Sequence, residues 1–280
     1  MHTFIADFLV RHPECRFRAL GARQNRSALD LAPFGHAVEF LDASENAEWV
    51  ERYHAANRAR FPGLLTLPGW VLVDLYLMPA AIGLLTCPAR LLDVRPPDLH
   101  DDDEGIAAAY YAAPSLMPGT VIGVSLISLR ESLGGAAIIK AITLEMLRAR
   151  TQRGIAQWSN RSLRVHTRLG PLRLEGPVPG AHAKADESFV YSVDLSNHAR
   201  VEEALGRPSG PDPEPPSGAR WIPADDFEAL DALLERASHG ERIEVLPPGL
   251  SADGHRVLVR EARASERPPV GREVEVHDGR

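Results

Sequence analysis

Gly134 and Gly135 stand between an apolar run, TVIGVSLISL at 120–129, and an amphipathic run that begins at Ala136. A glycine pair between a strand and a helix N-terminus leaves backbone N–H groups free, and the helix dipole adds partial positive charge there. Phosphates bind such places without basic side chains. The spacing is neither a Walker loop, since no Gly-Lys-Ser/Thr follows, nor a GxGxxG dinucleotide fingerprint. A tight turn that uses glycine only for packing stays open beside the anion site. His100, beside Asp101, Asp102, Asp103 and Glu104, has a metal-like composition. Consecutive acids cannot all converge on one ion, so 93–105 reads as a solvated loop and no metal site is expected.

These candidates need elements to position them. HAVEFLDA, 36–43, reads as a strand, followed by a helix capped near Ser44 that runs through Trp49, Tyr53 and Ala56 to Pro62. WVLVDLYLM, 70–78, and IGLLTC, 82–87, read as two strands joined at Pro79. Residues 93–119 read as an insert, with 120–129 the most strand-like run. A helix over about 136–152 places Ile138, Ile139, Ile142, Met146 and Leu147 on one side. Lys140, Glu145, Arg148 and Arg150 fall largely on the other. Residues 155–158 then read as a short strand, and Ser159 or Asn160 caps a helix carrying His166. LRLEGPV and ESFVYSVDL make two more strands. GRPSGPDPEPPSG, 206–218, reads as a linker. Beyond it, Asp225 or Asp226 opens a helix closed by Gly240, and IEVLP and RVLVREA pair as strands.

This order of elements over about 36–196 resembles the GNAT acyltransferase superfamily. Gly134-Gly135-Ala136 matches half of that family's pyrophosphate loop, although Glu131 stands where the family has Gln or Arg, with Arg130 one place early. Asn160-Arg-Ser-Leu-Arg-Val-His166 through Gly170 matches a second stretch, with Pro171 in place of the usual Phe. The resemblance implies an α/β fold with a mixed, mostly antiparallel central sheet flanked by helices. It implies acyl transfer from acetyl-CoA or another acyl-CoA by direct attack on the thioester. The backbone of Val124, Leu126 and Ser128 would align the pantetheine arm, and Arg130, Ser132, Leu133, Gly134, Gly135, Ala136 and Asn160 would hold the pyrophosphate side. His166, in the place of a tyrosine, would protonate the departing thiolate, since an imidazole titrating near neutrality is a competent general acid; the plain alternative is a histidine on an amphipathic helix with no role. Ser125 is a further catalytic candidate. Glu39, Asp74, Tyr110 and Tyr111 lie in segments that would face the cleft, and the 93–119 insert would be either a lid over the acceptor pocket or a surface excursion. The domain reading is an extension at 1–35, a GNAT-like acyltransferase domain at 36–199, a linker at 200–219, a small helix-plus-strands segment at 220–264 and a flexible tail at 265–280.

Composition bounds the partners. The net charge is −7, which argues against a general nucleic-acid binder. The acceptor is expected to be an amine of a small molecule or peptide, and a homodimer stays open. The uncharged stretch 106–129 is cut by Pro114, Pro118 and Gly119, so no membrane span is expected. MHTFIADFLVRH lacks the basic start of a signal peptide. Only Cys15 and Cys87 occur, too few for a disulfide framework, and a reducing, cytoplasmic setting is expected. Of 31 basic residues only Lys140 and Lys184 are lysines. A catalytically weak or inactive acyl-CoA-binding module and a protein-interaction module remain the alternatives to an enzyme.

Overall fold

The computed structural model describes residues 2–61, 63–180, 184–197, 201–203, 205 and 212–261. The expected tail at 265–280 and part of the expected linker, 206–211, lie outside these residues. One eleven-stranded sheet runs through the described residues in the order β2-β1-β3-β4-β5-β6-β8-β7-β10-β11-β9. The strands are β1 (Arg16–Gly21), β2 (Val38–Asp42), β3 (Ala81–Pro88), β4 (Glu104–Pro114), β5 (Thr120–Ser128), β6 (Thr151–Gln157), β7 (Leu172–Pro177), β8 (Ser188–Asp194), β9 (Ala219–Pro223), β10 (Ile243–Leu250) and β11 (Arg256–Glu261). Only β1–β2 and β5–β6 pair in parallel. This is the mixed, mostly antiparallel sheet that the resemblance implies.

The helices are α1 (His2–Arg11), α2 (Ala47–Arg60), α3 (Asp74–Leu77), α4 (Gly135–Met146), α5 (Ser162–Thr167) and α6 (Phe227–Ser238). One face of the sheet buries Ile5 and Phe8 of α1, Ile139 and Ile142 of α4, Leu163 of α5 and Leu230, Leu233 and Leu234 of α6. The other face buries Trp49, Tyr53 and Ala56 of α2 with Leu72 and Leu75. Gly83 lets α4 approach β3: a Cβ there would collide with Thr143 Oγ1. None of the helices among the described residues is long and apolar enough to cross a membrane.

Several expectations are corrected. Residues 1–35 are not merely an extension, since β1 lies inside the sheet between β2 and β3. Its charged look hides this: Arg18 is buried, paired with Glu39 and Glu104 and stacked over the Trp49 ring. Residues 70–78 form a 3-10 turn and α3 and no strand, and the two buried residues there, Leu72 and Leu75, are three apart. β-Propensity there yields to that helical spacing. The 93–119 insert is no lid over a pocket, for Glu104–Pro114 is an interior strand buried along nearly its whole length. The helix over 136–152 ends at Met146, and β6 starts at Thr151. The described part of the expected 220–264 segment, through residue 261, continues the sheet through β10 on β7.

Candidate active site

The centre of the sheet contains a gap. β5 and β6 pair only at Thr120–Ile122 against Thr151–Arg153. Beyond that point β5 stays on β4 as far as Ser128, and β6 stays on β8 as far as Gln157. The two strands therefore splay, and the β6-facing edge of β5 from Gly123 to Ser128 has no strand partner. The ladder to β4 carries an irregularity here: Tyr111 opposes Ser125 while Ala112 opposes Gly123, so Val124 is an extra residue that bends the strand. Positions 122–126 are exposed or partly exposed although β5 lies mid-sheet. An unpaired edge inside a sheet is a place for an extended, amide-bearing ligand to complete the ladder.

The gap opens toward the N-terminus of α4. Gly134 caps this helix in the left-handed region at φ 68°, with no side-chain cap. Its first-turn N–H groups therefore face outward unassisted. Gly135 allows close approach to β3, since a Cβ there would collide with Leu85 Cδ2. Leu133 and Ala136 are buried beside this turn, and Ser132 lies in the 3-10 turn before it. Arg130 turns away from the turn: its guanidinium donates to Glu14 Oε1 at 3.0 Å. The charge that accompanies Glu131 comes from elsewhere. Arg60 at the end of α2 donates to Glu131 Oε1 at 2.8 Å, and Arg161 Nη1 lies 3.9 Å from Glu131 Oε2. The sequence does not point to Arg60, which is distant in the chain and carries no motif.

Asn160 works as a cap. Its Oδ1 accepts from the Ser162 N–H at 2.8 Å, and its Nδ2 donates to Gln157 Oε1 at 3.1 Å. Both polar ends of its side chain are engaged inside the protein.

On the α4 face, His166 is buried and its Nδ1 lies 2.8 Å from Lys140 Nζ and 2.8 Å from the Tyr191 hydroxyl. Gln152 Nε2 donates to Tyr191 Oη at 2.9 Å. Burial first, then the neighbouring Lys140 charge, hold the His166 pKa well below the ordinary value. The expectation of an imidazole titrating near neutrality is thereby corrected. Burial also lowers Lys140 to about 7. Lys140 does not lie on a solvated helix face as its spacing suggests, but is 0% exposed. One signal is available: this chain writes nearly every cation as arginine, which cannot give up its proton, yet keeps a lysine at 140.

This polar group sits under the apex of the gap. A Cβ on Gly123 would collide with the Tyr110 hydroxyl and stand 3.0 Å from Gln152 Nε2. A Cβ on Gly154 would stand 2.9 Å from the same Nε2 and 3.0 Å from Tyr191 Oη. The Tyr110 hydroxyl and Gln152 Oε1 are buried without a hydrogen-bond partner.

Ser125 lies on the opposite face of β5. Its Oγ accepts from Asn57 Nδ2 at 3.0 Å, and Asn57 Oδ1 accepts from the Leu67 N–H at 2.7 Å. The buried Tyr53 hydroxyl lies beside Ser125, and burial, only partly offset by that neighbour, raises its pKa. The two candidates expected to be catalytic, His166 and Ser125, are thus on opposite sides of the strand. Tyr111 donates to Val71 O at 3.2 Å, and Asp74 lies on α3 beneath it. Glu39 is on β2, separated from β5 by β1, β3 and β4, and belongs to no site there. No cluster of metal-binding side chains occurs among the described residues.

No family model and no curated protein matches the chain. Among solved structures, it is similar to a Salmonella typhimurium protein assigned as an acetyltransferase and holding acetyl-CoA, at 14% identity and a TM-score of 0.38, over 57% of this chain and 94% of that one. A ribosomal-protein alanine N-acetyltransferase from Escherichia coli matches at 9% identity and a TM-score of 0.34, over 56% and 92%. A protein from T. thermophilus assigned as an acetyltransferase matches at 19% identity and a TM-score of 0.34, over 60% and 89%. At these TM-scores the likeness carries no weight for the site, which stands on its own geometry.

Proposed function

We propose that this chain is an acyl-CoA-dependent N-acyltransferase of the GNAT type, acting on an amine of a small molecule or peptide. The supporting observation is the β5–β6 gap, which ends at an uncapped helix N-terminus. An acyl-CoA pyrophosphate fits the N–H groups of the 134–136 turn, and its pantetheine amides complete the open edge of β5. That route carries the thioester toward the apex at Gly123 and Gly154, with the acceptor amine entering from the Ser125 and Asn57 side. Attack forms the N–C bond and breaks the C–S bond, while backbone N–H groups of the bent strand stabilise the developing oxyanion. Arg60 and Arg161, more than Arg130, offset Glu131 beside the phosphates.

A second reading, an acyl-CoA-binding module without turnover, is favoured by one observation: Glu131 places an acid next to the anion site. Calorimetric titration with acetyl-CoA tests both readings, with Gly134→Asp as the control. Aspartate tolerates the left-handed conformation and is a good N-cap, so the variant folds while its carboxylate repels the pyrophosphate. Binding lost in the variant, with thiol release in the presence of an amine panel, supports the enzyme. Binding without thiol release supports the module, and no binding to the wild type removes both.

A further inference from the structure

The buried Lys140 has no part in the acyl transfer as drawn so far, yet it belongs to the polar cluster beneath Gly123 and Gly154 at the apex of the gap. Its Nζ is 2.8 Å from His166 Nδ1 and 3.5 Å from the Tyr191 hydroxyl. The titratable groups that face it are Tyr110 of β4, His166 of α5 and Tyr191 of β8, with Gln152 of β6 beyond them. No carboxylate among the described residues pairs with it. The hydrogen-bond chain runs from Gln152 Nε2 through the Tyr191 hydroxyl to His166 Nδ1. Facing a Lys140 ammonium, which can only donate, Nδ1 is the acceptor and the imidazole carries its proton on Nε2. The unpartnered Tyr110 hydroxyl and Gln152 Oε1 lie in the same cluster, beneath Gly123 and Gly154.

We propose that Lys140 is the proton store for the acyl transfer, acting through His166 as a positioning residue. This rests on the acyltransferase reading. His166 alone is a poor acid, because burial keeps it from holding a second proton. Placed behind it, the Lys140 ammonium donates to Nδ1 as His166 Nε2–H passes its proton to the thiolate released by C–S cleavage. The imidazole is left neutral with its proton on Nδ1, and Lys140 is left as the free amine. The proton shed by the acceptor nitrogen as it becomes an amide returns to Nε2, and Nδ1 passes its proton back to Lys140, which resets the pair. An amine that titrates near pH 7 accepts that proton readily, which an arginine cannot do.

The test uses Lys140→Met, which fills the same space without charge, and Lys140→Arg, which keeps charge without releasing it. Thermal melts and acetyl-CoA titration establish that each variant folds and binds. Thiol release from acetyl-CoA is then followed from pH 5.5 to 9.5 with the most active amine of the panel. In the wild type, kcat/KM is expected to fall as Lys140 loses its proton above pH 7. In Lys140→Met that limb disappears and the rate at pH 7 drops by about 10²-fold, the range of a lost general acid. Lys140→Arg does not restore the rate. A Lys140→Met profile that overlays the wild type overturns the proposal and leaves the acyltransferase reading intact. No thiol release from the wild type with any amine overturns both. The 15N shifts of the His166 ring in the free protein are an independent arm. An Nε2–H tautomer that persists across this range supports the relay, and a proton on Nδ1 contradicts it.

Discussion

Gly123 and Gly154 are the first residues past the last β5–β6 rung, and the missing Cβ of each makes room for the same atom, Gln152 Nε2. The apex of the gap and the polar cluster beneath it are thus built together. Alanine at either site should cost about 1–3 kcal/mol by overpacking. Gly123→Ala should cost more, because its Cβ would collide with the Tyr110 hydroxyl, where on Gly154 the nearest atoms, Gln152 Nε2 and Tyr191 Oη, would stand at 2.9 and 3.0 Å. Denaturant midpoints at equal m-value check the order. Equal stability of both variants with the wild type would contradict this packing.

Much of this architecture is legible in the sequence, and its omissions have physical causes. β5, the Gly134-Gly135 turn, α5 and the β7–β8 hairpin announce themselves by periodicity and by glycine. β4 does not: IAAAYYAA is buried on both faces, so alternation is absent, and its small residues resemble those of an irregular arm. Lys140 reads as part of a solvated face because charge normally goes there, and only the third dimension shows it enclosed by two tyrosines and a histidine. Arg60 and Asn57 come from α2, far from the loop and strand they serve, and no local pattern encodes that docking.

Glu131→Gln should raise acetyl-CoA affinity by a few-fold up to roughly tenfold, since it removes an acid next to the bound pyrophosphate and frees Arg60 and Arg161. Arg60→Gln should lower it by a similar factor. Both effects should shrink in high salt, because these groups are partly exposed. Titrations at two ionic strengths measure this, and a Glu131→Gln variant that binds more weakly would contradict the arrangement.

The pH dependence of stability should carry the Lys140 signature. Its folded pKa, about 7, lies below the unfolded value near 10.4, so between those limits the unfolded chain binds more protons. Stability from this group therefore rises with pH from about 7 to 10, by at most ~1.4 kcal/mol per unit. Lys140→Met should be more stable than the wild type at pH 7, and the difference should close toward pH 10. His166 acts below that window: its depressed pKa removes stability as pH falls through about 6.5. Melts across pH 5–10 provide the comparison.

The C-terminal strands brace the short helix that carries His166. Gly249 of β10 has φ 79°, and a Cβ there would stand 2.8 Å from Thr167 Oγ1 and 2.9 Å from Leu163 O. Arg164 Nε also donates to Leu250 O at 2.9 Å. Gly249→Val should cost more than ~1 kcal/mol through both backbone strain and overpacking, and it should lower thiol release beyond the loss of folded protein. A variant with reduced stability but unchanged specific activity would separate α5 from β10.

An acyl-CoA arm that completes the open edge of β5 would shield the amides along it. Amide hydrogen exchange, read residue by residue with and without acetyl-CoA, measures that shielding. Slowed exchange is expected across Gly123–Ser128 and at the 134–136 turn, with β1 and β11 unchanged. Saturating acetyl-CoA with no protection in β5, or protection elsewhere alone, would contradict it.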